Sequence, residues 1–253
     1  MWKDMAMALG FLSRLRLPGQ DTGVAAPEKV ARSLAVFPVV GLILGTLQAA
    51  AGWGLGFCFS GELCALWVVG LGTWLTRGLH LDGLADVADG VGGAYEPSRR
   101  LAIMKDSRVG AFGVLALIFG IGFKVFSISG LLATHRWSAL IVVPALSRCT
   151  MVYCTYKIPY ARAEGGLGKA FLDHVGRREL LWATVWAGTA AVALQREWGL
   201  FLAGMALAAA VPCRWAAKRW VGGMTGDMLG AVNEVTEIAL YHAALVFSGG
   251  VGG

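Results

Sequence analysis

Long apolar runs, separated by polar segments of very unequal length, set the pattern of this chain. With ~20 apolar residues as the length that crosses a bilayer, seven runs qualify, at about 34–58, 63–80, 109–133, 138–156, 180–196, 198–217 and 236–250. They are rich in Leu, Ala, Val and Gly and lack the alternation of half-buried strands. The pattern therefore predicts helices, which satisfy their own backbone groups in lipid. The fifth and last runs are short, and the last ends in Gly-rich sequence. Before the first run, Met5 to Leu17 reads as a short amphipathic helix at the interface. The expected fold is all-α: a polytopic integral membrane helical bundle of about seven spans with an N-terminal interfacial helix, forming one membrane-embedded domain over residues 1–253.

Composition agrees. Of 253 residues 57% are hydrophobic and 15% charged, too little polar surface for a soluble domain of this length. The net charge of +6 is placed by topology and calls for no nucleic acid. With the N-terminus on one side, the long segments 81–108, 157–179 and 218–235 fall on that same side. Arg136 and Arg196 alone fall opposite, Lys124 and Arg148 fall inside spans, and every other Lys and Arg falls with the N-terminus. Basic loops mark the cytoplasmic face, so the N-terminus and the long loops are expected there, and the function with them. No cleavable signal peptide is expected, because the N-terminal apolar stretch is short and its basic residues follow it. The five cysteines form no Cys-x-x-Cys pair and the four histidines are dispersed, which argues against a zinc motif.

The chemistry concentrates in "HLDGLADVADGVGG", His80 to Gly93. Asp82, Asp86 and Asp89 are spaced by four and three, so on a helix they share one face within ~60°. A solvated face accounts for one acid at the end of a span. It does not account for three that repel one another at a membrane boundary. A divalent cation resolves the repulsion, and hard carboxylate oxygens suit Mg²⁺. Gly83, Gly90, Gly92 and Gly93 leave room for a phosphate ligand or another backbone. His80 falls off the acidic face by helical phase and reads as structural. A second acidic set, Asp227, Glu234 and Glu237, has spacings of seven and three and again falls roughly on one face. Together the two faces can hold metal around a pyrophosphate.

Cations stand nearby in sequence. "MKDSRVG" supplies Lys105, Asp106 and Arg108, and Lys124 and Arg148 lie within spans, where an unpaired cation is costly. They either neutralise the acids or clamp phosphate oxygens. The loop "EGGLGKAF", Glu164 to Phe171, matches neither a Walker loop nor a dinucleotide fingerprint. Acids for Mg²⁺, cations for phosphates and a membrane boundary point to displacement at phosphorus by an alcohol.

These residues carry a resemblance to the cobalamin synthase (adenosylcobinamide-GDP ribazoletransferase) family. It runs nearly end to end, through "FLSRLRLP" (Phe11–Pro18), "FPVVGLILG" (Phe37–Gly45), "GLHLDGLADVADGVGG" (Gly78–Gly93) and "RRLAIMKDSRVGAFG" (Arg99–Gly113). It continues through Lys124, "LSR" (Leu146–Arg148), "EGGLG" (Glu164–Gly168) and "GGMTGDMLGAVNE" (Gly222–Glu234). The third and fourth motifs are specific; the apolar ones are not. "RLRLP" departs from the shorter spacing the family commonly has before its Pro. The resemblance implies a Mg²⁺-dependent enzyme of the bacterial cytoplasmic membrane. It would join adenosylcobinamide-GDP to α-ribazole or α-ribazole 5′-phosphate, release GMP, and form adenosylcobalamin or its phosphate. It implies Asp82, Asp86, Asp89 and Asp106 as catalytic candidates, and Asp82, Asp86, Asp89, Asp227 and Glu234 as metal candidates. Lys105, Arg108, Lys124 and Arg148 become phosphate-binding candidates. Membrane lipid is a partner, and there is room for a homo-oligomer or a complex with other late corrinoid-pathway enzymes.

Two other classes share parts of the pattern. CDP-alcohol phosphotransferases would need Ala-Arg where this chain has Ala85-Asp86, and prenyltransferases show two Asp-rich motifs where the second set here is Glu-rich. A cation transporter would place its acids near mid-span and repeat its halves, whereas here the acids cluster at one boundary.

Overall fold

The computed structural model describes residues 2–17 and 26–249. Pro18 of the N-terminal motif and residue 250, the expected end of the last span, lie outside the described residues. The described chain is helical throughout, with no strand; an isolated bridge joins Tyr160 to Met224.

At the centre of the bundle is α8 (Trp137–Thr155), buried along almost its whole length. Around it pack α3 (Phe37–Leu55), α10 (Arg177–Gln195), α11 (Gly199–Val221) and α12 (Gly226–Gly249). A short α2 (Pro27–Ser33) and a 3-10 turn lead into α3. Beside these, α4 (Gly61–Leu75) and α5 (Leu79–Gly93) pack in succession along α7 (Ala111–Ala133). The small helices α6 (Pro97–Ile103) and α9 (Leu167–His174) lie in the long connections. On α7, Phe112, Leu115, Ile118, Phe119 and Phe126 are exposed. So are Leu200, Val211 and Trp215 on α11. Apolar side chains facing outward from a bundle are what a lipid solvent selects.

Among the described residues, four segments are long and apolar enough to cross a membrane: 27–55, 111–133, 137–155 and 199–221. Seven were expected, and the other three fall short for physical reasons. α4 has 15 residues, about 22 Å at the helical rise. α10 opens on Arg177, Arg178 and Glu179, and α12 carries Asp227, Glu234 and Glu237. The expected interfacial helix is also corrected. α1 runs Trp2–Leu12, ending five residues before Leu17, and buries Ala6, Ala8, Leu9 and Leu12 against the bundle. Beyond it the chain is tied to the end of α4: the Arg14 backbone N–H donates to Leu75 O (2.7 Å) and its Nε to Trp74 O (2.7 Å).

α3 and α8 approach backbone to backbone. A Cβ added at Gly41 would lie 2.6 Å from Ala145 Cα, and one at Gly45 2.7 Å from Ile141 O. The two glycines are four residues apart, so they form a small-residue stripe that lets backbones touch, the device by which helices associate in lipid. Gly41→Ala is expected to destabilise the protein by about 1–3 kcal/mol, because the backbones must separate. Gly54→Ala, where nothing stands within 4 Å, is the control and should be neutral. Thermal unfolding in detergent checks both.

Candidate active site

The acidic helix begins at a break. Arg77 (φ 58°) and Gly78 (φ 70°) both adopt left-handed backbone, which separates α5 from α4 and gives it its own direction. α5 is not one of the four apolar spans. It lies against α12 through glycines. A Cβ at Gly83 would lie 2.6 Å from Asp227 O, and one at Gly230 3.3 Å from Gly83 Cα. With backbones this close, Asp82 and Asp86 of α5 meet Asp227 at the start of α12.

The electrostatics show the convergence. Asp86 is half-buried, and its carboxyl is pushed up to about 7. Burial is the largest cause; the charges of Asp227 and Asp82 add to it, and Arg162 partly opposes it. Among the described residues, no side-chain hydrogen bond or ion pair engages the carboxylate of Asp82 or Asp86. Asp227 has two: the Arg162 guanidinium donates to its Oδ2 at 2.5 Å, and the Thr225 hydroxyl donates to the same oxygen at 3.4 Å. Arg162 comes from the connection between α8 and α9. That loop is pinned to the approach of α12 by Met224 N–H to Pro159 O (2.9 Å) and Ala161 N–H to Met224 O (3.0 Å).

Asp89 behaves differently from its two neighbours. It is buried, and its oxygens accept from the backbone N–H of Gly110 (2.7 Å) and Gly113 (2.8 Å). It caps the start of α7 from another helix, where free N–H groups and the helix dipole favour a carboxylate. Expected as a metal and catalytic candidate, its carboxylate is engaged in holding α5 to α7. Asp106 is forked by Arg108, with Nη2 to Oδ2 at 2.6 Å and Nε to Oδ1 at 3.0 Å. That fork holds the Asp106 carboxyl down to about 2. Lys105 is exposed and stands 3.8 Å from Glu164.

The cations expected inside spans are also engaged. Lys124 of α7 pairs with Glu234 (2.9 Å) and Glu237 (2.5 Å) of α12, and Arg148 of α8 pairs with Glu237. Lys124 is 11% exposed and Arg148 3%. Ser147 donates to Asn233 Oδ1 at 2.9 Å beside them, and His80 lines the same chamber. The acidic set expected on one face of α12 is therefore divided. Asp227 joins Asp82 and Asp86, while Glu234 and Glu237 neutralise buried cations. Among the described residues, no group of three or more His, Cys, Asp or Glu is gathered so that it could hold a metal ion by itself. The carboxylate oxygens of Asp82, Asp86 and Asp227 are the donor type that Mg²⁺ takes together with water and phosphate oxygens. Arg162 was missed by sequence reasoning. It sits in no motif, and only the Tyr160–Met224 bridge brings it to the acids.

Comparison with known proteins adds to this geometry. A family model described as cobalamin-5-phosphate synthase matches residues 4–245. The chain is 46% identical over 244 residues to an adenosylcobinamide-GDP ribazoletransferase of Syntrophobacter fumaroxidans, covering 96% of this chain and 98% of that one. It is 38% identical over 258 residues to the enzyme so named from Chlorobaculum parvum, covering 99% and 98%. It is 42% identical over 241 residues to that of Ectopseudomonas mendocina, covering 92% and 94%. No solved structure matches the chain.

Two outcomes are expected from the geometry. Asp89→Ala strips the buried Gly113 N–H and the part-buried Gly110 N–H of their acceptor and should cost about 1–3 kcal/mol, with Asp89→Asn intermediate; chemical or thermal unfolding reads it. For Asp86, the folded protein holds a proton that the unfolded chain releases between pH 3.8 and about 7. Its contribution to stability is thus greatest at low pH and is lost as pH rises through that window. Without added divalent cation, Asp86→Asn should unfold at a higher temperature than the parent at pH 7.5, and the difference should shrink at pH 5.

Proposed function

The chain belongs to the cobalamin-5-phosphate synthase family, and from that premise we infer that it is a membrane transferase joining adenosylcobinamide-GDP to α-ribazole or its 5′-phosphate. The observation that carries the site assignment is the open carboxylate face: Asp82 and Asp86, whose carboxylates no side-chain hydrogen bond or ion pair engages among the described residues, meet Asp227 beside Arg162.

The reaction is a displacement at phosphorus. A ribose hydroxyl of the acceptor attacks the phosphorus on the cobinamide side. The bond from that phosphorus to the bridging pyrophosphate oxygen breaks, and GMP leaves with the electron pair. The hydroxyl proton passes to a carboxylate of the face or to water. Asp82, Asp86 and Asp227 would hold Mg²⁺ together with water or phosphate oxygens, and the ion would supply neutralisation of the pyrophosphate and of the charge that grows on the leaving GMP. The protein's own part is placement. Gly83 and Gly230 fix the separation of α5 and α12, Asp89 fixes α5 on α7, and repulsion among the acids makes the face avid for a cation. The one-sided distribution of Lys and Arg supports a cytoplasmic position for this face, where nucleotide substrates are found, and the outward apolar faces of α7 and α11 support a lipid surround.

Purified protein in detergent, given adenosylcobinamide-GDP, α-ribazole and Mg²⁺, should release GMP and form the joined corrinoid in equal amounts, and EDTA should stop both. Asp82→Asn and Asp86→Asn should each lower turnover by about 100-fold or more, since a metal's neutralisation of transition-state charge is worth several kcal/mol. Near-full, Mg²⁺-dependent turnover in either variant would remove the carboxylate face from the mechanism.

A further inference from the structure

A pyrophosphate brought to three carboxylates needs a cation from the protein, and the cations singled out by sequence are occupied. Lys124 and Arg148 are buried and held by Glu234 and Glu237. Arg108 is exposed and forked onto Asp106, and Lys105 is exposed and directed at Glu164. Arg162 differs from all four. It acts directly on the charges of the face, since it pairs with Asp227 and lowers the proton affinity of Asp86. Its side chain is 20% exposed, and its Nε is buried without a hydrogen-bond partner. A guanidinium carries five donors in a planar fork, and one ion pair leaves most of them unspent.

Its placement is built by the backbone. The two hydrogen bonds between Pro159–Ala161 and Met224 set the loop against the lead-in to α12. That lead-in depends on Gly222 (φ 80°), and a Cβ at Gly223 would lie 3.1 Å from the Pro159 carbonyl carbon. Arg162 is thus presented at the face before any substrate arrives, which lowers the entropy lost on binding.

We propose that Arg162 is the phosphate-binding residue of this site, holding the pyrophosphate of adenosylcobinamide-GDP with the donors that Asp227 does not use. This rests on the reading above. Asp227 orients the guanidinium through one arm, and the remaining N–H groups face the phosphate oxygens as a bidentate fork, which an ammonium cannot reproduce. Charge and geometry then act on the donor substrate alone, because α-ribazole carries no pyrophosphate.

The test compares Arg162→Ala and Arg162→Lys with the parent in detergent. Expected for the alanine variant is a rise of about ten- to a hundred-fold in KM for adenosylcobinamide-GDP, with the KM for α-ribazole changed less than about twofold. Calorimetric titration with adenosylcobinamide-GDP and Mg²⁺, acceptor omitted, should show the same weakening, and lysine should recover part of it. Unchanged donor affinity in Arg162→Ala, or an equal rise in both KM values, overturns the proposal. If the alanine variant does not fold, Arg162→Lys decides: parental donor affinity overturns the proposal, and a several-fold loss supports it. A parent protein that binds the donor but forms no product refutes the transferase reading while leaving the role of Arg162 readable by titration.

Discussion

Four opposite charges inside an apolar bundle constrain everything around them. Lys124, Arg148, Glu234 and Glu237 join α7, α8 and α12 in a chamber from which lipid and most water are excluded. Removing one member of such a cluster leaves a buried charge uncompensated, at a cost of about 3–5 kcal/mol. The cluster therefore specifies register more than it adds stability. If α12 slid by one turn, Glu237 would lose both Lys124 and Arg148. Because α12 is fixed in this way, Asp227 at its start is fixed too, and with it the place where α5 must lie. The carboxylate face is assembled downstream of a charge arrangement that takes no part in it.

The two acidic regions thus do opposite electrostatic work. In the buried cluster each carboxylate has a cation, and the sum is neutral. At the open face three carboxylates share one arginine, and Asp86 is pushed up to about 7, by burial first and by the charges of Asp227 and Asp82 next. The first arrangement is complete without a ligand. The second is frustrated, and frustration of this kind is how a protein stores affinity for a cation and a phosphate. Asp89 stands between the two. It belongs to the acidic helix by sequence but spends its charge on the N-terminus of α7, so the face has a rigid mount.

Much of this was legible in the sequence. The spacing of Asp82, Asp86 and Asp89 placed them on one helical side, and the phase of His80 put it elsewhere; the structure buries it in the chamber beside Lys124. The dilemma over Lys124 and Arg148, whether they meet acids or phosphates, was also visible, but its answer was not. It depends on which turn of α12 faces α7, a tertiary fact that periodicity does not carry. Spacing alone put Asp227 with Glu234 and Glu237, because it ignores that a helix meets different neighbours along its length. Asp89 looked like its neighbours because the backbone N–H groups it satisfies have no signature in side-chain sequence. Arg162 was hidden for the same reason: two main-chain hydrogen bonds bring it to the face. Hydropathy treats each run alone, whereas α12 keeps Glu234 and Glu237 by pairing them with cations of other helices, and α10 opens on the exposed Arg177 and Arg178.

The meshing of Gly83 with Asp227 and of Gly230 with α5 has a mechanical meaning. Where side chains separate two helices, the gap is elastic, since rotamers change and the helices follow. Here main chain rests on main chain, so the gap has a hard stop on its inner side. The distance between the backbones of α5 and α12 is a fixed gauge, set by van der Waals contact of main chain on main chain. Three mutually repelling carboxylates would push an elastic gap apart, and three that strongly attract a cation would pull it shut. A fixed gauge does neither, so the work of accommodating cargo falls to the side chains and to whatever oxygens the cargo brings with it.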